Sequence, residues 1–396
     1  MKLTIDDFRI LSVVGGILMA GVACAGSRFG DLPNATHAWA VHDMHRPNPV
    51  KVTAKPGLPP SDAIVLFDGT AESVAKNWCD DKGNPTKWVV RDGRFECVPK
   101  SGYAQTKEKF GDCQLHIEWY QPTNLKGEGQ ARGNSGVIFM GKYEIQVLDS
   151  YETDPAVKPM KNPNYADGQA GAVYGQNPPT VNPSRPAGEW QTYDVVFHPP
   201  IWQDGKLVDP GAMTCFFNGV LVQDYWELEG VTHWRQRPHP EDFGPEGVFK
   251  LQDHGNPVSY RNIWIRRIPS RYANHVHGGP NVKPAEVVAL REKVAKELFA
   301  KLDRKAVTLM GTRAALEVLF YSKKPEYVAY AESCMTEVQK QLAALDAKTL
   351  KSRKDEVIAL WDTFITFDRS NDALGQCACA KFVAETAKKQ GWKLGR

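Results

Sequence analysis

The stretch Lys142-Tyr143-Glu144-Ile145-Gln146-Val147-Leu148-Asp149 alternates polar and apolar side chains, the period of a half-buried β-strand. It places Glu144 and Gln146 on one face and Ile145 and Val147 on the other. Asp149 falls on the apolar-side parity, which suits a group that caps the strand's exit turn. Short runs of the same kind recur on both sides: AIVLF, KWVVRDG, RFECV, CQLHIEWY and SGVIFM before it, TYDVVF, MTCFFNG, VLVQD, GVFKLQ and NIWIRRI after it. Gly, Pro and Asn punctuate them, and no helical pattern intervenes. So many brief strands predict a mainly β domain over 62–269, an antiparallel β-sandwich of jelly-roll type. Two polar segments, 151–189 and 224–247, are too long for hairpins, and loops of that size on a rigid sandwich usually shape a site.

Outward from the sandwich the composition changes. After Pro280, Ala, Leu, Lys and Glu recur at helical spacing, as in Ala285–Val294, which predicts a bundle of four or five helices over 283–396. Pro284 fits the first turn of its first helix, and Lys323-Lys324-Pro325 marks a later break. Residues 26–61 are rich in Pro, His and Asn and read as an extended leader. Residues 1–25 carry Lys2 and Arg9, an apolar run from Ile10, and Ala23-Cys24-Ala25 at a signal-peptidase-like site. This predicts export to the periplasm or outside, with lipidation of Cys24 as the one route to membrane attachment. The formal charge of +3 divides into 28 Lys+Arg against 31 Asp+Glu over 1–282 and 21 against 15 over 283–396. Neither block reads as a nucleic-acid surface. Eight cysteines become seven without Cys24, so disulfides are not demanded; Cys377-Ala378-Cys379 lacks metal-site spacing and reads as buried thiols or a partial bridge to Cys334.

Sorting strands by face brings out a set of chemical groups. In CQLHIEWY, His116 and Glu118 share a side; in FKLQDHG, Lys250, Gln252 and His254 do. With Glu144 and Gln146 these suggest the lining of one concave groove. Around them, Arg132-Gly133-Asn134-Ser135-Gly136 and the Gly-rich segment ending in Tyr174-Gly175 bring glycines that let backbone approach a ligand and an amide that both donates and accepts, as sugar hydroxyls require. Nine of the eleven Trp precede residue 283; Trp190 and Trp226 are the candidates for stacking on a sugar, the rest for core.

The ordered set Leu66-Phe67-Asp68-Gly69, Asn134-Ser135-Gly136, Tyr143–Asp149, Gly188-Glu189-Trp190, Phe217-Asn218-Gly219, Leu251–Gly255 and Arg261-Asn262-Ile263 resembles the 3-keto-disaccharide hydrolase domain family, over about 62–269. The resemblance implies a concanavalin A-like jelly roll and an enzyme, acting outside the cytoplasm, on glycosides already oxidised to a ketone at C3. Such a ketone acidifies the C2 proton, so a base can remove it and the aglycone can leave C1 by elimination before water adds. Glu118, Glu144 and His254 are the expected catalytic set, with Glu144 and His254 as base or as ligands of a divalent metal ion that polarises the ketone. Arg132, Asn134, Gln146, Tyr174, Trp190, Lys250 and Gln252 are the expected sugar-binding groups; no organic cofactor is implied. Two alternatives stay open. Ordinary hydrolysis by two carboxylates normally places both acids on one strand, and Gln146 occupies that second position here. A lectin-like module needs amides and aromatics but has little use for His254 beside Glu144.

Overall fold

A computed structural model describes residues 30–33, 39–151, 164–270 and 284–395. The expected signal peptide, Cys24 and much of the 151–189 loop's first half lie outside them. The chain forms two compact units, Pro47–Lys283 and Met1–Arg46 with Pro284–Arg396.

The first unit is an antiparallel two-sheet sandwich. In chain order its strands are β1 (Ile64–Phe67), β2 (Trp78–Cys79), β3 (Val89–Arg91), β4 (Arg94–Glu96), β5 (Ala104–Phe110), β6 (Cys113–Tyr120), β7 (Ser135–Phe139), β8 (Tyr143–Val147), β9 (Trp190–His198), β10 (Ile201–Gln203), β11 (Lys206–Asp209), β12 (Ala212–Phe217), β13 (Val220–Glu227), β14 (Gly247–Leu251) and β15 (Ser259–Arg267). The larger sheet runs β13-β12-β9-β6-β15-β4-β3, with β1 also on β15; the smaller runs β2-β5-β14-β7-β8; β10 and β11 form a separate hairpin. Inward faces interlock: Leu115, Ile117 and Trp119 of β6 and Val195 and Phe197 of β9 meet Val137, Phe139, Ile145 and Val147 of the smaller sheet. Phe139 stacks on Phe197 at 4.9 Å, and Tyr193 meets Phe217 edge-on at 4.9 Å. Each such fully buried side chain is worth about 1.5–3 kcal/mol.

Three elements depart from the sequence reading. A short helix α1 (Ala71–Asn77) interrupts the strands, its first turn closed by Thr70 Oγ1 accepting from the Ser73 amide at 3.1 Å. Strand β5 contains Thr-Lys-Glu-Lys, with no apolar alternation across its exposed stretch; pairing with β2 and β14 on both sides makes it a strand. The β10–β11 hairpin turns through Asp204 and Gly205, both at positive φ. Beyond β8, the segment Gly171–Tyr174 continues the sheet by backbone bonds: Gly171 donates to Gln146 O at 3.0 Å and Tyr174 to Glu144 O at 3.1 Å. That segment covers the sheet's open edge and brings Tyr174 to the face that bears Glu144.

The second unit holds α2 (Pro284–Ala300), α3 (Leu309–Val318), α4 (Pro325–Ala344), α5 (Ala347–Ser352), α6 (Lys354–Arg369) and α7 (Ala378–Lys389), more helices than the four or five expected. Pro opens α2 and α4, where its missing N–H costs nothing. Phe320 packs on Phe367 at 4.7 Å. Part of the leader belongs here: Asp43 accepts from Tyr321 Oη at 2.7 Å, and Leu32 N donates to Ser370 Oγ at 3.0 Å. The seven described cysteines are free thiols, with Cys334 and Cys379 buried and Cys377 half-buried beside Met335 Sδ at 3.8 Å. No helix among the described residues is long and apolar enough to cross a membrane.

Candidate active site

On the β7–β8 pair, the side chains turned away from the core are Gly136 and Ile138 on one strand and Gln146 and Glu144 on the other, facing each other in register. They floor a groove of about 640 Å³, walled by Tyr103, Gln130, Asn134, Tyr174, Gln252, His254 and the loop residues Thr232, His233, Trp234 and Glu241. That volume suits a ligand of one or two sugar rings.

Glu144 lies at the floor, 6% exposed. Its backbone is saturated: its N–H donates to Thr232 Oγ1 at 3.1 Å and its carbonyl accepts from Tyr174 N. Its carboxyl group occupies the space that Gly136 leaves empty, since a Cβ there would overlap Glu144 Oε1. Among the described residues no cation is set against it, and burial alone pushes its pKa up to about 8. Burial also raises the Tyr103 phenol, with the Glu144 charge adding to the effect, and burial together with a hydrogen bond to Tyr165 raises Tyr174.

Beside the carboxyl group runs a row of amides. Gln130 Oε1 accepts from Gln146 Nε2 at 2.9 Å and from Asn134 Nδ2 at 3.0 Å, while Gln130 Nε2 donates to Gly168 O at 2.8 Å. The row is thus fixed before any ligand arrives. Asn134 Oδ1 and Gln252 Oε1 are buried without a hydrogen-bond partner, two acceptors turned toward the groove in need of a donor. His254 is exposed on the rim, and the loop that carries it is tied down by Asp253, whose carboxylate accepts from Gly255 N at 2.9 Å and Gly102 N at 3.0 Å. Asn256 adds a bond from Gly133 N at 3.0 Å.

The structure therefore gathers Glu144, Gln146, Asn134, Tyr174, Gln252 and His254 around one groove, and it separates five other candidate residues from it. Glu118 lies on β6, in the larger sheet. Its outward face looks away from the sandwich on the side opposite the groove. There Glu118 Oε2 accepts from Arg261 Nε at 2.7 Å and Oε1 from Asn262 Nδ2 at 2.9 Å, and His116 Nδ1 pairs with Asp194 at 2.7 Å under the Trp264 ring. Trp190 belongs to that face too, its ring 4.0 Å from the Arg261 guanidinium and 5.3 Å from Tyr120. Arg132 is held by the buried Asp149 at 2.7 Å and by Leu125 O at 3.1 Å, outside the groove lining. Lys250 pairs with Asp81 at 2.9 Å and covers Gly141. Trp226 packs against the core. Alternation along a strand sorts inward from outward, but it does not say which sheet a strand joins, and the two outward faces are on opposite sides of the molecule.

Conversely, Tyr103, Gln130, Thr232, His233, Trp234 and Glu241 line the groove without having been singled out. They come from loops and strand ends, where no periodicity marks a face. For Thr232, His233, Trp234 and Glu241 the length of the 224–247 segment was the one signal; Tyr103 and Gln130 had none.

With this geometry in view, likeness to known proteins is informative. Residues 62–266 match the family described as the 3-keto-alpha-glucoside-1,2-lyase-like domain. A 3-keto-disaccharide hydrolase of Bacteroides thetaiotaomicron is 24% identical over 235 residues, 51% of this chain and 77% of that protein. A candidate glycosyl hydrolase from Parabacteroides distasonis, known from its crystal structure, is 41% identical, with a TM-score of 0.52 over 57% of this chain and 94% of that one. Because the family match spans just over half of the 396 residues and encloses the whole groove, this chain belongs to the 3-keto-alpha-glucoside-1,2-lyase-like family of carbohydrate-active, hydrolase-like enzymes.

Proposed function

We propose that this protein cleaves glycosides whose sugar carries a ketone at C3, by elimination followed by hydration. The observation that supports this reading most directly is a buried carboxyl group with a pKa near 8 on the floor of a sugar-sized groove. A base whose pKa lies near the working pH best combines availability with proton-accepting strength. In the proposed reaction the Glu144 carboxylate takes the C2 proton, and the C2–H electrons form the C2–C3 double bond of an enolate. The enolate then re-forms the ketone as the C1–O bond breaks; the aglycone oxygen leaves with that pair and is protonated by His254. Water adds to C1 of the resulting enone and gives a proton to His254, and Glu144, its carboxyl proton exchanged with solvent once the aglycone has left, delivers that proton to C2. Asn134 Oδ1 and Gln252 Oε1 would accept from sugar hydroxyls, and the Tyr103 and Tyr174 phenols, held protonated by burial, would donate to the developing enolate oxygen. An ion among Glu144 and His254 is a poorer fit than the sequence suggested: with Glu118 elsewhere, one carboxylate at the floor and one imidazole on the rim remain, short of the three protein ligands of a catalytic transition-metal site. Residues 1–25 would direct export before cleavage.

The test is to incubate the purified protein with a 3-keto-glucoside and with its unoxidised parent, in D₂O, following aglycone release and deuterium at C2 by NMR. The proposal expects release from the keto substrate alone, with C2 of the product deuterated. Release from both would establish ordinary hydrolysis, and binding without release would establish a lectin-like module.

A further inference from the structure

We infer that His233, His239 and Glu241 form a binding site for one divalent transition-metal ion on the wall of the groove. The three sit on the loop between β13 and β14 in the order His-x₅-His-x-Glu, and one ligand atom from each lies within 4.8 Å of the other two. The two imidazole rings stack at 5.2 Å and 11°, and His239 Nε2 lies 3.0 Å from Glu241 Oε1. A surface His–Glu pair would account for that last contact. It would not account for His233, whose Nε2 is shielded from water and has no hydrogen-bond partner. A buried unpaired ring nitrogen is costly unless something occupies its lone pair or takes its proton. A cation held jointly with His239 and Glu241 does so.

The loop backbone is built to hold this arrangement. Gly230, at φ 147°, lies against the His239 backbone so closely that any Cβ would overlap it, and Val231 N donates to His239 O at 3.2 Å. Gln176 pins the base of the loop, its amide donating to Gly230 O at 2.8 Å and accepting from Glu229 N at 2.9 Å. Thr232, between the two, also receives the Glu144 backbone N–H, so the loop is tied to the floor strand. A transition-metal ion would take these donors at about 2.0–2.2 Å. Two imidazoles and one carboxylate favour Zn²⁺, Co²⁺ or Ni²⁺ over Mg²⁺ or Ca²⁺, which prefer oxygen ligands throughout. Three protein ligands, with His239 exposed, leave a coordination position open to water or to an oxygen of a groove ligand. His233 and Glu241 also line the groove, so the ion would border any bound sugar.

Metal binding itself does not depend on the keto-sugar reaction, and its test needs no sugar. Untagged full-length protein, stripped with chelator and dialysed, is titrated with Co²⁺ and followed by visible absorbance and calorimetry. The expected result is one equivalent bound, with d–d bands of a four- or five-coordinate ion. Affinity should fall at least ~100-fold in His233→Ala and His239→Ala and about 10-fold in Glu241→Gln. His254→Ala and Glu144→Gln should bind as wild type does. Absence of saturable binding, binding undiminished in His239→Ala, or loss in His254→Ala would each overturn the site. Thermal melts accompany every variant; if His233→Ala unfolds, the exposed His239 and Glu241 variants decide the matter.

Discussion

At the level of single residues, Glu144 is where the fold works against itself. An ionised carboxylate buried without a cation is unfavourable, and the shift of its pKa to about 8 from the ordinary 4.5 measures how unfavourable. The folded state binds the proton more tightly than the unfolded chain, so the carboxyl group costs nothing below about pH 4.5. The penalty grows as pH rises toward 8 and then levels off, reaching about 5 kcal/mol. Glu144→Gln removes the charge at nearly constant shape. Its melting temperature should match wild type near pH 4.5 and exceed it by several degrees at pH 8.5, as calorimetry at the two pH values would show; equal melting temperatures at both would mean the carboxyl group is not buried as described. Turnover of a 3-keto-glucoside should fall on the order of 10³-fold in the same variant. In wild type, with C2 proton abstraction limiting, kcat/KM should climb with pH through an apparent pKa near 8, since the base acts ionised. This residue was legible in the sequence because it sits on a strand with clean alternation. Its pairing with Gly136 was not: the glycine read as room for a ligand and proved to be room for the carboxyl group.

At the level of elements, the lesson lies in two strands with the same pattern. CQLHIEWY and KYEIQVLD both show polar residues on one face, and the sequence alone merged those faces into one groove. Hydrogen bonding decides otherwise, because β6 pairs with β9 and β15 while β8 pairs with β7. The outward face of β6 carries a charge network in place of a substrate site. Burial opposes a charge on His116, but its hydrogen bonds to Asp194 and Glu118 outweigh that and push its pKa up to about 9. The bond with His116, opposed by burial and reinforced by Asn262 and Arg261, brings Glu118 down to about 2. Stabilisation from His116 is fully present below pH 6.5 and is lost as pH rises through 9; that from Glu118 is present above pH 4.5 and is lost as pH falls through 2. Glu118→Gln should therefore lower stability to urea by about 1–3 kcal/mol near pH 6 and leave kcat/KM within about threefold of wild type. A drop of 100-fold or more with the fold intact would return Glu118 to the chemistry. On the groove side, Gly136→Ala pushes a methyl group into the Glu144 carboxyl, the three side-chain atoms nearest the added Cβ lying within 3.2 Å of it. Its kcat should fall by about 10- to 100-fold with KM little changed, since a misplacement near 1 Å is enough. Steady-state kinetics on the folded variant would check this.

At the level of the whole molecule, the change from β-type runs to helical spacing near residue 280 was plain in the sequence, as was the shift of charge from acidic to basic. The boundary on the other side was not. Composition made residues 26–61 one leader, whereas the compact units divide it at Arg46 and Pro47. The bonds that attach its first part to the helical unit, from Tyr321 to Asp43 and from Leu32 to Ser370, link residues 278 and 338 positions apart, a separation that no local pattern records. Every residue lining the groove falls within Pro47–Lys283, and so does the whole family match. The sandwich has its own core, with Phe95, Leu115, Ile117, Val137, Ile145, Tyr193 and Phe217 fully or almost fully shielded from water by neighbours in the same unit. Residues 47–270 expressed alone should then fold, melt cooperatively, and retain kcat/KM on a 3-keto-glucoside within about threefold of the full chain, because a domain with a complete core and site carries both its stability and its chemistry. Circular dichroism melts and aglycone-release kinetics on the fragment would check this. A fragment that folds but has lost activity would show that the helical unit supplies part of the working site, and one that does not fold would show that the sandwich core is not sufficient by itself.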